Sequence, residues 1–453
     1  MSPAYIIFIV AAGVTFLLLM VLRFRLNAFI ALLVTSILVG ILAGMPAEMI
    51  LSSIEKGMGG TLGFIAVVVG LGAVFGQMLE SSGGARAFAH SLLRKFGRGK
   101  ASWALMLSGF VIGIPVFLDV GFIILIPIVY ALARDAQKSV LFYAIPLLAG
   151  LAVSHTMIPP TPGPVAVANI LGVDIGWVVL FGILTGLPTA VIAGPVFGRY
   201  IAGKIKIDPP ATFTGHEESG EGHQTMMPSF ITIALIIMTP LLLILAGTFM
   251  KLGIDREWLR QSLLTEIMVF IGHPFVALII ATFLSIILCI RQKLPGQTIL
   301  ELSTKALGPA GIIILVTGAG GVLKQILIDS GIGKILAESI AGSSIPLVLL
   351  GWILSALVRI TQGSATVAMI TAAGIMAPII PLFSLSQPET ALVVVSIAAG
   401  ATILSHVNDS GFWIVSKYLG MNEKQTLQSW TVMETIIAVT GLAITLTLSL
   451  FVR

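Results

Sequence analysis

Pro159-Pro160-Thr161-Pro162-Gly163-Pro164 stands in the middle of an otherwise apolar segment, 139–172, and it decides how the chain folds. As one straight helix the segment would extend ~50 Å, against a hydrocarbon core of roughly 30 Å. A proline cluster cannot continue a helix, because it removes N–H donors and clashes with the preceding turn. The segment therefore reads as a helix broken inside a membrane. Such a break survives only where the freed backbone groups line a cavity or find protein partners. A second interruption, Asn408-Asp409-Ser410-Gly411, divides segment 391–420 in the same way.

Composition agrees with a membrane setting. Of 453 residues, 57% are apolar and 10% charged, against roughly 25% charged in soluble domains. The apolar residues come in blocks of about 15–25, the length that spans a bilayer. The formal charge of +5 sits in short loops and not along one face or tail, which excludes a nucleic-acid partner. The single cysteine, Cys289, rules out internal disulfides and paired-thiol metal sites. His216 and His223 lie in the most hydrophilic stretch, Lys204 to Pro228, and read as loop residues. No metal and no cofactor is expected. Ala4 to Leu22 precedes Arg23 and Arg25 and follows no basic residue, the reverse of a cleavable signal, so it reads as a retained helix starting outside.

The two halves resemble each other. Gln77-Met78-Leu79-Glu80-Ser81-Ser82-Gly83 matches Gln325-Ile326-Leu327-Ile328-Asp329-Ser330-Gly331. Ala149-Gly150 with Ser154-His155 echoes Ala399-Gly400 with Ser405-His406, and each segment closes on Leu-Gly, at 172 and 420. The offset stays near ~250 residues, the mark of an internal repeat and a usual construction of secondary transporters. This gives a first membrane repeat over 1–203, a hydrophilic linker over 204–228 and a second repeat over 229–453. Lys and Arg concentrate in loops assigned inside, including the run Arg94-Lys95-Phe96-Gly97-Arg98-Gly99-Lys100. Under that assignment Trp103 to Ala133 leaves an inside loop and returns to one, with arms of ~23 Å that suit a re-entrant hairpin. Ile345 to Pro381 is its counterpart from outside. The fold class is thus an all-α polytopic membrane protein of two inverted repeats. Each repeat has about five transmembrane helices and a re-entrant hairpin, with broken helices at the midplane.

Two hairpin tips, near Gly113 to Gly121 and Thr361 to Val367, then meet two helix breaks. Half-helix N-termini there offer unpaired N–H groups and positive dipole ends to a carboxylate. Gln362, Gly363, Ser364 and Thr366 form a small, hydroxyl-rich tip. Thr161, Gly163, Asn408 and Ser410 belong to the breaks. Asp119, Arg359 and Asp409 each cost roughly 2.5–3.5 kcal/mol at mid-membrane on insertion scales and are functional candidates on that ground. Arg359 suits a bidentate clamp on an anion or an ion pair with one aspartate. Asp119 and Asp409 suit a coupled proton, and His155 and His406 a proton relay or hydroxyl donation. Trp103, Trp177, Trp352, Trp413 and Trp430 fit interfacial anchors, with Trp413 also close to Asp409 in sequence.

These residues resemble the gluconate:proton symporter (gluconate permease) family over nearly the full chain. The similarity is carried by Gly57-Met58-Gly59-Gly60-Thr61-Leu62-Gly63, Phe117-Leu118-Asp119-Val120-Gly121-Phe122, the proline cluster, Gly363-Ser364-Ala365-Thr366-Val367-Ala368 and Ser405 through Trp413. The resemblance implies proton-coupled uptake of a sugar acid across a bacterial inner membrane. It also implies kinship with a wider ion-transporter superfamily whose members often form homodimers. Family members commonly carry His at the place of Thr161, and many carry Glu at that of Asp119. Idonate, D-serine and shorter sugar acids are alternative family substrates. Sodium-coupled carboxylate transport is a further alternative. A membrane enzyme lacks support: Ser405, His406 and Asp409 are the nearest approach to a catalytic constellation, and no His-Glu-x-x-His pair occurs.

Overall fold

The computed structural model describes residues 3–209, 228–332 and 345–452. Most of the linker assigned to 204–228 lies outside the described residues, with His216 and His223. Among the described residues every regular element is helical, and seven helices are long and apolar enough to cross a membrane.

Element order repeats. Ala47–Ser81 corresponds to Gly296–Asp329. The helix pair Ala101–Ile112 and Leu118–Ala136 corresponds to Leu347–Gln362 and Ala365–Met376. Leu141–Met157 followed by Pro162–Leu171 corresponds to Gln387–Gly400 followed by Ser410–Leu419. Both second pieces end at a left-handed glycine, Gly172 and Gly420. The breaks fall where the sequence places them and have local causes. Pro162 occupies the first turn of its helix, where a missing N–H costs nothing. Asp409 caps the next helix, its Oδ1 accepting the Gly411 N–H at 3.0 Å.

Leu141–Met157 is buried all round, apart from partial exposure at Phe142 and His155. A helix apolar on every face belongs at the centre of a large assembly. Both arms of the first hairpin pack on it more than on each other. Gln387–Gly400 is likewise buried from Thr390 onward and carries the incoming arm Leu347–Gln362. The two broken helices are the core on which the hairpins hang.

The long helices Ala47–Ser81 and Gly296–Asp329 pack along much of their length. Ser53 Oγ donates to Asp329 Oδ2 at 2.6 Å at one end, while Gly70 faces Leu307 further along. Positions therefore rise on one helix as they fall on the other, and these equivalent helices run antiparallel. Where they cross, a Cβ on Gly57 would lie 2.6 Å from the Gly321 carbonyl oxygen. A Cβ on Gly321 would lie 2.5 Å from that of Gly57. Only glycine on both sides permits this approach, the usual device for close helix contact without a hydrophobic driving force.

Candidate functional site

The tips and breaks enclose a cavity of ≈ 450 Å³, within the common range for small-molecule sites. Its wall takes Leu118 and Asp119 from the first hairpin and His155 from the first broken helix. Arg359 and residues 362–366 come from the second hairpin, and residues 408–411 from the second break. Ten of the thirteen residues singled out from the sequence as substrate-binding lie on this wall: Asp119, His155, Arg359, Gln362, Gly363, Ser364, Thr366, Asn408, Asp409 and Ser410. Thr161, Gly163 and His406 are not on it. Thr161 is buried with its hydroxyl donated to the Ile158 carbonyl at 2.6 Å. Gly163 packs against the Met369 side chain.

The second tip is tied to its break. Arg359, 4% exposed, places Nη2 2.5 Å from Asp409 Oδ2 and donates Nη1 to the Gly363 carbonyl. The last carbonyls of a helix have no intrahelical partner. Here the Ile360 carbonyl receives His406 Nε2 at 2.9 Å and Asn408 Nδ2 at 3.1 Å, and the Thr361 carbonyl also receives Asn408 Nδ2, at 3.3 Å. His406 thus closes a helix end. Ser405 donates to Asp409 Oδ2 and accepts Trp430 Nε1 at 2.7 Å. Gly363 stands at φ +82°, and a Cβ there would overlap the Asn408 carbonyl. The Arg359–Asp409 ion pair, one of two roles open to Arg359 in the sequence, is present. It leaves Arg359 Nε buried without a partner among the described residues.

Among the described residues no side-chain hydrogen bond or ion pair ties the first tip to its broken helix. Its closest aromatic contact is Phe117 with His155, centroids 5.7 Å apart. His155 Nδ1 and Gln362 Oε1 are buried polar atoms without a hydrogen-bond partner, and both residues border the cavity. Asp119 is exposed in the first turn of Leu118–Ala136, so it is a cavity-facing acid and not a buried charge. Its place complements the positive end of that helix. The N–H groups opening Leu118–Ala136 and Ala365–Met376 border the same space, where initial turns leave donors without intrahelical acceptors.

Glu434 and Trp430 are wall residues whose place the sequence reading missed. Glu434, 3% exposed, lies on the cavity wall. An acid inside the apolar run after Trp430 carries the same cost that singles out Asp119, so the signal was present. Trp430, expected at an interface, is 2% exposed and holds Ser405. Trp413 instead lies off the wall, its Nε1 donated to the Val407 carbonyl at 2.9 Å. Lys324 puts Nζ 2.6 Å from the Ile170 carbonyl, a cation at a helix C-terminus.

A model of the family described as GntP family permease matches residues 5–451. The low-affinity gluconate transporter of Escherichia coli strain K12 is 39% identical, with 97% of each chain covered. The gluconate permease of Pseudomonas aeruginosa is 38% identical over 99% of this chain and 98% of its own. The Gnt-II system L-idonate transporter of Escherichia coli strain K12 is 35% identical over 96% and 97%. Among solved structures, the YdaH transporter of Alcanivorax borkumensis shares the fold at a TM-score of 0.63 and 16% identity, covering 90% of this chain and 89% of that one. With this match over almost its whole length and its apolar spanning helices, the chain is a multi-pass membrane transporter, not an enzyme, and belongs to the GntP family of permeases.

Proposed function

We propose that this protein imports gluconate or a closely related sugar acid by proton symport across a bacterial inner membrane. The observation that carries the proposal is the cavity shared by both tips and the second break, which joins helix N-termini to unpartnered polar groups. Its charges orient the ligand. Arg359 is engaged by Asp409, and Asp119 repels a carboxylate from the first tip. The carboxylate therefore belongs at the opening turn of Ala365–Met376, beside the Thr366 hydroxyl and the free N–H groups there. The hydroxylated chain then extends toward Gln362 Oε1, His155 Nδ1 and Asp119, which can accept or donate to hydroxyls. Antiparallel packing of Ala47–Ser81 on Gly296–Asp329 supports inverted repeats around this site, the symmetry used in alternating access.

Labelled gluconate uptake into proteoliposomes tests the proposal. Accumulation is expected with an inside-alkaline gradient and is unchanged when choline replaces sodium. Accumulation that follows sodium and ignores the pH gradient would assign the coupling to sodium. Competition by idonate and shorter sugar acids ranks the substrate.

A further inference from the structure

We infer that Glu434 is the proton-carrying residue of the transport cycle and that its protonation is required for the sugar-acid anion to bind. The inference rests on the symport proposed above. Glu434 sits on the final helix, one turn after Trp430, and borders the cavity while almost wholly buried. Its backbone carbonyl accepts Thr402 Oγ1 at 3.2 Å, yet no hydrogen bond or ion pair reaches its carboxyl group among the described residues.

The neighbours decide what that carboxyl group can do. Arg359, from the second hairpin, is the one cation on the cavity wall among the described residues, and it is held by Asp409. Asp409, from the second break, has both oxygens occupied: Oδ2 by Arg359 and Ser405, Oδ1 by Gly411. Asp119 and His155, from the first hairpin and first broken helix, face the same space. The helix Ile175–Val191 carries no charged residue, and Glu389, at the far start of Gln387–Gly400, is engaged in a capping box with Ser386. An ionised Glu434 is thus a buried charge that shares the field of Arg359 with Asp409 and has no hydrogen bond or ion pair of its own among the described residues, and an incoming carboxylate adds a further negative charge to the same space. A proton taken from the outer water onto the Glu434 carboxylate removes that conflict. The anion and the proton then enter together, and the proton leaves to the inner water when the anion departs. By linkage, anion binding favours protonation exactly as much as protonation favours the anion.

The test compares wild type with Glu434→Gln and Glu434→Asp in proteoliposomes, using labelled gluconate. Wild-type affinity is expected to tighten about tenfold as the pH falls from about 8 to about 6, within the usual span of coupled sites. Glu434→Gln is an uncharged mimic of the protonated side chain. Its affinity should be independent of pH, and accumulation driven by a pH gradient should be lost. Wild-type accumulation by Glu434→Gln overturns the assignment. If that variant does not fold, Glu434→Asp decides: it retains a carboxyl group at a different depth, so its pH profile is expected to shift. An unshifted profile overturns the assignment. Absence of gluconate counterflow in wild type would remove the sugar-acid proposal instead, a result distinguishable from either variant outcome.

Discussion

The two hairpin tips are built from equivalent elements and have opposite local chemistry. In the second half the tip is fastened to its broken helix by the Arg359–Asp409 pair and by His406 and Asn408 on the carbonyls of Ile360 and Thr361. In the first half the equivalent junction is made by packing, Gly113 against Ser154 and Phe117 against His155, with His155 Nδ1 unpartnered among the described residues and Asp119 exposed. A polar residue that is fully bonded holds structure, whereas one with an unused donor or acceptor at a cavity can serve a ligand. The second tip is therefore fastened to its break by polar bonds while keeping Gln362 Oε1 for a ligand, and the first tip keeps its polar groups outside such bonds. Substitutions in the second half should first be felt in stability, and those in the first half in transport.

The sharpest way to break this contrast is Arg359→Ala. It leaves Asp409 without its cation, a loss of about 3–5 kcal/mol for a buried pair. Folded yield and thermal midpoint in detergent should fall, with partial recovery in the double variant Arg359→Ala/Asp409→Asn, the signature of direct coupling. A stable Arg359→Ala protein with only weakened gluconate affinity would make Arg359 a substrate ligand. Gly363→Ala comes next. The positive φ and the overlap with the Asn408 carbonyl should cost about 1–3 kcal/mol, visible as a lower thermal midpoint. The smallest effect on stability is expected for Asp119→Asn at the first tip, within about 0.5 kcal/mol for an exposed residue. Uptake should fall by a factor of a few, through lost hydroxyl contacts. A large stability loss there would erase the distinction between the tips.

Both helix breaks and both hairpins were legible in the sequence, because prolines, caps and intramembrane charges violate rules that an apolar helix otherwise obeys. The grouping of Asp119, His155, Arg359 and residues 362–366 was legible for the same reason. Roles were less so. His406 and His155 both follow a serine at matching places, yet one closes a helix end and the other does not, because the difference lies in which carbonyls the fold brings within reach. Glu434 was readable as a costly acid but carries no motif of its own, and Trp430 has the residue type of an interfacial anchor while serving as a buried donor to Ser405. The helices Gly84–Phe96 and Leu263–Ile271 were absent from the sequence-based topology.

The crossing of Gly57 and Gly321 makes each half of the chain a constraint on the other. Each glycine occupies the space that a side chain on the other would need. A side chain larger than hydrogen at either position would have to push the partner helix away. At this crossing a change of sequence in either half is vetoed by the other.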